Sequence, residues 1–233
     1  MFETLLTWFL FPGLRTYTTL PHVQYHAGVA CLYARSNHNP NHVLVYFHGN
    51  GQDLGTSWRQ INDMSEALQM TVVAMEYRGY GCMSLRHCTI DGVVVDARRV
   101  LRHLKSVYKH VHVCGYSIGA AVAAAAAQHE TCAQLVLVAP FYNLQKMVHD
   151  TTGLGSLLHT QVFDTASTLA SMQSRNIPLS IVHGAKDALI SVDHAHALKY
   201  NVPLIDLHVQ EDRGHNNIQW TAVHKVLKKN TRL

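Results

Sequence analysis

A chain of 233 residues, 48% hydrophobic and 15% charged, can bury a sizeable core, which argues against an intrinsically disordered protein. Its net charge of +4 is mild and its basic residues are scattered, so we predict no nucleic-acid partner. The five widely spaced cysteines contain no CxxC pair and the histidines no HExxH motif, so we predict no disulfide framework, metal or cofactor. Such cysteine usage indicates a reducing, cytoplasmic compartment.

Residues 1–21 are predicted to form an N-terminal leader. Its apolar residues between Phe2 and Phe11 fall on one helical stripe, far short of the roughly 20 apolar residues that span a bilayer. Glu3 is its only early charge, so the leader also lacks the basic start and the small-residue cleavage site of a signal peptide. Two interpretations are open, in which the stripe either packs against the core or lies peripherally on a membrane surface.

The remaining residues, 22–233, are predicted to form one domain. His22–Ala34 is expected to contain one or two β segments broken at Ala27-Gly28, and regular alternation follows. The predicted strands are Val43–Phe47, Thr71–Tyr77, Val111–Cys114, Leu135–Val138, Ile177–His183 and Leu204–Val209, and the predicted helices are Ser57–Leu68, Ile90–Val107, Ser117–Gln128, Asp193–Leu198 and Ile218–Lys229. Apolar strands between helices predict an α/β fold, with a mostly parallel sheet of about eight strands covered on both faces. The pattern weakens between about 140 and 176, where we expect a short cap.

A glycine-flanked serine motif, Gly115–Gly119, follows a predicted strand and opens a predicted helix. This is the context of a nucleophile elbow, in which the glycines permit a tight turn that lifts Ser117 above the sheet edge. The amide of Ile118 would lie at the positive end of the new helix, where it can stabilise an oxyanion. Ser117 is therefore the candidate nucleophile.

A serine nucleophile needs a base and an acid that orients it. In such folds they follow in the order nucleophile, acid, histidine, which selects His215 in the loop after the last predicted strand. Asp187, in the loop after the predicted strand Ile177–His183, is the candidate acid. Asp193, more plausibly the N-cap of the next helix, and Asp164 are the fallback acids.

A second oxyanion donor is expected in the glycine-containing loop after the predicted strand Val43–Phe47. The backbone amide of Asn50 or Gly51 fits this role, and the sequence does not distinguish them. We expect a structural role for His48 at the end of the strand, and a structural turn at Tyr77–Gly81.

Together these motifs resemble the α/β-hydrolase superfamily and, more narrowly, the Bem46-like group with the depalmitoylating abhydrolase-domain proteins. The shared landmarks, from about residue 40 to 220, are His48-Gly49-Asn50 with Asp53-Leu54-Gly55, Tyr77–Gly81, Ser117-Ile118-Gly119, Pro140, His183-Gly184 with Asp187 and Ile190, and Gly214-His215-Asn216. Three features depart from the group: Tyr116 replaces a frequent Gln, Met83 replaces a Ser, and the first cysteine is Cys31, whereas the animal depalmitoylases begin with a cysteine-rich, lipid-modified segment.

The resemblance implies a metal-independent serine hydrolase that cleaves acyl esters or thioesters, with S-acylated proteins among the expected substrates. Membrane attachment would then depend on the Phe2–Phe11 stripe. The alternatives are a lipase or aminopeptidase on the same fold and a catalytically silent interaction protein, because the fold does not fix the substrate.

Overall fold

Short runs of mostly apolar residues form one central sheet. The computed structural model describes residues 6, 7, 9–13, 22–153, 162–229 and 231. The strands in these residues are β1 (Val23–His26), β2 (Val29–Ala34), β3 (His42–Phe47), β4 (Thr71–Met75), β5 (His110–Tyr116), β6 (Gln134–Val138), β7 (Leu179–Gly184) and β8 (Asp206–Gln210).

The strand order across the sheet is β1-β2-β4-β3-β5-β6-β7-β8. β1 and β2 pair antiparallel at one edge, and all pairs from β4 to β8 are parallel. The predicted mostly parallel, eight-stranded α/β sheet is thus confirmed. Because β3 lies between β4 and β5, the chain leaves β3 and β5 toward opposite sides and opens a crevice at their carboxyl ends, where ligands bind in such sheets.

Helices cover both faces of the sheet. They are α1 (Leu54–Leu68), α2 (Ile90–Val107), α3 (Ile118–Ala127), α4 (Leu144–Thr152), α5 (Thr165–Ser171), α6 (Asp193–Asn201) and α7 (Trp220–Lys229). Apolar residues of α1 and α7 share one core layer, and those of α2 to α6 share the other. Within β3, Val43, Val45 and Phe47 face the layer of α2 to α6, while Leu44 and Tyr46 face α1 and α7. Burial on both faces explains why the strands are continuously apolar.

Several predicted boundaries are wrong by a few residues because capping and turns decide them. α1 begins three residues before the predicted Ser57, since Asp53 caps it and accepts a hydrogen bond from the Thr56 amide at 2.8 Å. β4 ends at Met75, two residues before the predicted Tyr77, and is followed by a turn in which Gly79 has a φ of 85°. The interpretation of Asp193 as an N-cap is also wrong, since Val192 occupies the cap and Asp193 is the first residue of α6.

The segment predicted as a cap contains α4, α5 and a 3-10 turn at Gln173–Arg175, and residues 154–161 lie outside the described part of the chain. Asp164 caps α5, where its carboxylate accepts a hydrogen bond from the Ser167 amide at 3.0 Å. This local contact explains the presence of an acidic residue there without a catalytic role.

The described part of the leader packs mainly against the core. Leu6, Leu10 and Phe11 are buried, and the Phe11 ring meets the rings of Tyr77, Tyr80 and Phe163. Phe9 is 51% exposed, whereas Phe2, Leu5 and Trp8 of the predicted stripe lie outside the described residues. Among the described residues, no helix has the length and apolarity needed to cross a membrane.

Candidate active site

The turn between β5 and α3 holds Ser117 in a strained conformation. Its φ of 57° and ψ of −123° lie in a region that side-chain-bearing residues rarely adopt. The flanking glycines are required by close backbone contacts. A Cβ at Gly115 would lie 2.2 Å from the Gly119 oxygen, and one at Gly119 would lie 2.2 Å from the Phe47 oxygen. The turn therefore has the shape of a nucleophile elbow, with Ser117 at its apex.

The structure brings Ser117, His215 and Asp187 together from three loops at the carboxyl edge of the sheet. His215 Nε2 lies 2.9 Å from Ser117 Oγ, and His215 Nδ1 lies 2.7 Å from Asp187 Oδ2. Since a carboxylate only accepts hydrogen bonds, Nδ1 carries the proton and donates a hydrogen bond to Asp187. Nε2 is then free to accept the Ser117 hydroxyl proton. All three side chains are largely buried.

The Asp187 carboxylate accepts hydrogen bonds on both of its oxygens. Oδ2 accepts from His215, and Oδ1 accepts from the Leu189 and Ile190 amides at 2.9 and 2.7 Å. His183 Nε2 donates to the Ile190 carbonyl at 2.8 Å and lies 3.3 Å from Asp187 Oδ2. Burial raises the pKa of Asp187, but the neighbouring His183 imidazole and the hydrogen bonds from His215 and Ile190 outweigh burial and hold the pKa well below its usual range. Asp187 is therefore ionised at neutral pH and can orient His215.

The candidate oxyanion amides have no hydrogen-bond partner among the described residues. Ile118 is the first residue of α3, so its amide has no acceptor within the helix. In the loop after β3, Gly49 N donates to Gln52 Oε1 at 3.0 Å. The amides of Asn50 and Gly51 are left unpaired in the part of the chain described, so the structure keeps both as candidates for the second donor.

The buried side chain of His48, directly after β3, supports this loop. It is fully buried, and its Nε2 lies 3.3 Å from the carboxylate of Glu76, which is also buried. The Tyr77 hydroxyl donates to the His48 carbonyl at 2.8 Å, and the two rings lie 4.1 Å apart. These contacts fit the structural roles expected for His48 and for the turn that begins at Tyr77.

Tyr116, the residue before Ser117, touches three parts of the site. Its hydroxyl donates to the His215 carbonyl at 2.8 Å, and its ring lies 5.4 Å from the His215 ring. The ring also packs closely against Gly49, where a Cβ would lie 3.0 Å from Tyr116 Cδ1, and its edge meets Trp220. Burial, followed by the charge of Asp187, raises the pKa of Tyr116 to about 12, so the hydroxyl keeps its proton at neutral pH.

A cavity of about 500 Å³ lies beside Ser117. Its walls combine carboxamide, aromatic and aliphatic side chains with the glycines of the loop after β3. They are formed by Gly49, Asn50, Gly51, Gln52, Gln60, Tyr116, Ser117, Leu189, His215, Asn216, Ile218 and Trp220. A cavity of this size can hold a small ligand next to the nucleophile. None of the described cap residues lines it.

Sequence reasoning assigned no function to His183, Leu189, Gln60 or Trp220. His183 contacts Asp187, and the other three line the cavity. His183 was named above only as a landmark of the family resemblance, although its position four residues before the candidate acid could have indicated a contact with Asp187. Gln60 and Trp220 gave no such signal, because their place in the cavity depends on how α1 and α7 pack together. In the described residues, no group of three or more His, Cys, Asp or Glu side chains is arranged to hold a metal ion.

Comparisons with known proteins agree with this architecture. The chain is 25% identical to human alpha/beta hydrolase domain-containing protein 17B over 197 residues, which are 82% of this chain and 66% of that protein. It is 23% identical to protein 17C of Xenopus laevis over 199 residues, which are 83% of this chain and 62% of that protein. The chain thus spans slightly less than two thirds of the length of these relatives.

Solved structures share the fold at lower sequence identity. A Pyrococcus furiosus esterase superposes with a TM-score of 0.70 and 17% identity, covering 94% of this chain and 96% of that chain. A thermophilic esterase from Thermogutta terrifontis with butyrate bound superposes with a TM-score of 0.69 and 14% identity, covering 93% and 95% of the two chains.

The family model described as "Alpha/beta hydrolase family" matches residues 43–171, which is more than half of the chain and includes the elbow and the loop after β3. The chain therefore belongs to the alpha/beta hydrolase family.

Proposed function

We propose that this protein is a serine hydrolase that cleaves acyl esters or thioesters through an acyl-enzyme intermediate. Ser117 Oγ attacks the substrate carbonyl carbon while His215 Nε2 takes the hydroxyl proton. Asp187 orients His215 and stabilises the imidazolium. The oxyanion accepts hydrogen bonds from the Ile118 amide and from the amide of Asn50 or Gly51.

The first half of the reaction ends when His215 gives its proton to the leaving oxygen or sulfur, the bond from that atom to the acyl carbon breaks, and acyl-serine forms. A water molecule then attacks the acyl-serine carbonyl and gives its proton to His215, which returns it to Ser117 Oγ as the acid product leaves. No step requires a metal or an organic cofactor.

The observation that carries this proposal is that His215 bonds to Ser117 through one ring nitrogen and to Asp187 through the other. This arrangement gives a serine hydroxyl the base and the oriented tautomer that it needs to react at neutral pH. The strained elbow and the unpaired amides supply independent support, because neither is needed for the hydrogen bonds of the triad.

For the substrate, we propose S-acylated proteins as the natural class. Support comes from the resemblance to the depalmitoylating abhydrolase group and from similarity to proteins 17B and 17C. Access from a membrane surface would have to use leader residues other than Leu6, Leu10 and Phe11, since these are buried.

Hydrolysis of matched substrates tests the proposal. The purified protein should hydrolyse octanoyl esters and octanoyl thioesters and leave aminoacyl anilides intact, and the Ser117→Ala variant should lose both acyl activities. Preferential cleavage of anilides would identify an aminopeptidase, and activity confined to emulsified triglycerides would identify a lipase. Absence of turnover on every substrate would favour an interaction protein without catalytic activity.

A further inference from the structure

A second cavity adjoins the one beside Ser117. Gln60 of α1 and Trp220 of α7 line the cavity beside Ser117, and they also line a second cavity of about 900 Å³ between the same two helices. The two cavities are therefore neighbours that share these two side chains as walls. We call the cavity beside Ser117 the inner cavity and the second cavity the α1–α7 groove; the groove is lined by Thr56, Arg59, Asp63, Ala67, Gln219 and His224 among others.

The position of His215 indicates which part of a substrate would enter this groove. The leaving atom must take its proton from His215 Nε2, so the leaving group lies on the His215 side of Ser117. The chain from His215 leads through Ile218 and Trp220 into α7, and these side chains line the inner cavity. The groove, whose wall includes Trp220, therefore adjoins the segment that begins at His215.

The size of the groove argues against a small alcohol or thiol as its intended occupant. Cavities of roughly 300–1,000 Å³ suffice for a whole drug-sized ligand, and the groove reaches this range without the inner cavity. The inner cavity of about 500 Å³ is by itself large enough for a small leaving group.

The chemistry of the walls suits a polypeptide. Thr221 and Gln219 offer a hydroxyl and an amide group that can form hydrogen bonds with a peptide backbone, whereas the Thr56 hydroxyl is already bonded to Asp53. Arg59 supplies one positive charge against the two carboxylates of Asp63 and Glu66.

His224 is the other ionisable wall residue of the groove. Burial and the nearby Lys228 lower its pKa, although Asp63 opposes this shift, so the imidazole is neutral at neutral pH. The walls of the groove consequently carry a net negative charge, which complements lysine or arginine in a bound segment.

We propose that the α1–α7 groove binds the polypeptide leaving group of an S-acylated protein, with a preference for basic residues near the acylated cysteine. This inference depends on the thioesterase function proposed above. The residues of the α1–α7 groove would bind the substrate without taking part in the chemistry at Ser117.

The test compares two octanoyl thioesters that differ only in the thiol. One thiol is N-acetylcysteamine, and the other is a cysteine within a short lysine-containing peptide. Ala67→Trp adds bulk to the groove, so we expect kcat/KM for the peptide thioester to fall by about tenfold or more. The value for the small thioester should stay within about twofold, because the inner cavity is unchanged. Ala170→Trp, on an exposed position of α5, is the matched control and should affect neither substrate.

A charge reversal gives a second test that does not depend on how the bulky variant packs. Asp63 and Glu66 are exposed, so Asp63→Lys with Glu66→Lys should preserve folding. It should lower kcat/KM for the lysine peptide and raise it for a glutamate-containing peptide.

Three outcomes would overturn the inference. The first is an equal fall in kcat/KM for the small and the peptide thioester in Ala67→Trp. The second is an unchanged kcat/KM for both thioesters in Ala67→Trp together with no effect of the charge reversal. The third is an altered preference among acyl chains on the small thiol, which would assign the groove to the acyl group. If the unmodified protein hydrolyses neither thioester, the proposed function itself fails, and this result is distinct from the other three.

Discussion

The Tyr116 hydroxyl donates a hydrogen bond to the backbone carbonyl of His215 at 2.8 Å, across 99 residues of sequence. The bond links the strand that presents the nucleophile to the loop that presents the base. Because Tyr116 precedes Ser117 and packs against Gly49, one side chain fixes the relative positions of the elbow, the histidine loop and the loop after β3. Tyr116 therefore acts as a positioning residue.

Tyr116→Phe should keep the ring packing and remove only this hydrogen bond. We expect kcat to fall by about 3- to 10-fold with little change in KM, since a neutral hydrogen bond contributes about 0.5–1.5 kcal/mol. Steady-state hydrolysis of an octanoyl ester measures the effect. Tyr33→Phe is the control. Tyr33 lies on β2, outside the active site, and the change removes a hydroxyl that is hydrogen-bonded to His26 Nε2 at 2.6 Å. Equal kcat values for Tyr116→Phe and Tyr33→Phe would contradict the positioning role of Tyr116.

Asp187→Asn should preserve the shape of the site and abolish the carboxylate that fixes the His215 tautomer. By analogy with other triads, we expect kcat to fall by about 10³- to 10⁴-fold. Asp193→Asn makes the same chemical change at the fallback acid, which lies on the exposed side of α6, and should leave kcat near its original value. A larger fall in kcat for Asp193→Asn than for Asp187→Asn would assign the role of the acid to Asp193.

The depressed pKa of Asp187 also predicts how stability depends on pH. Because folding favours the ionised carboxylate, its contribution to the free energy of unfolding is complete above the ordinary pKa of 3.8. The contribution is lost as the pH falls from 3.8 toward the pKa of the folded state. Urea unfolding should show that Asp187→Asn is less stable than the original protein at neutral pH, and that the difference narrows below about pH 4. A difference that widens there would contradict the depressed pKa.

Glu76→Ala should destabilise the fold, because it removes the buried carboxylate that accepts a hydrogen bond from the Leu54 amide at 3.3 Å and lies 3.3 Å from the buried His48 ring. A buried polar group that loses its partner costs about 1–3 kcal/mol, which urea unfolding can resolve. Glu211→Ala, at an exposed position after β8, should change the free energy of unfolding by less than about 0.5 kcal/mol. Equal stability of the two variants would show that the His48–Glu76 pair does not hold the loop.

Much of the fold could be predicted because it depends on local pattern. Apolar runs between helical segments predicted the parallel sheet, and the glycine spacing around Ser117 predicted the sharp turn. The order of the motifs along the chain predicted His215 as the base and Asp187 as the acid. The structure places their side chains within hydrogen-bonding distance of each other. These features are all set by residues close in sequence or by the order of elements.

The rest depends on contacts that sequence patterns do not encode. The hydrogen bond from Tyr116 to the His215 carbonyl depends on how two segments remote in sequence are placed. The α1–α7 groove depends on how α7 packs on α1. The leader could equally have faced a membrane, and only the packed structure shows Leu10 against the core. The choice between Asn50 and Gly51 stays a prediction for the same reason.

Active-site labelling tests the central claim most directly. A fluorophosphonate forms a covalent bond only with a serine activated by its base, so intact-mass measurement should show one adduct per chain. Peptide mapping should place this adduct on Ser117. The account predicts that both Ser117→Ala and His215→Ala abolish the adduct while remaining folded by circular dichroism. Undiminished labelling of folded Ser117→Ala, or no labelling of the unmodified protein, would contradict it.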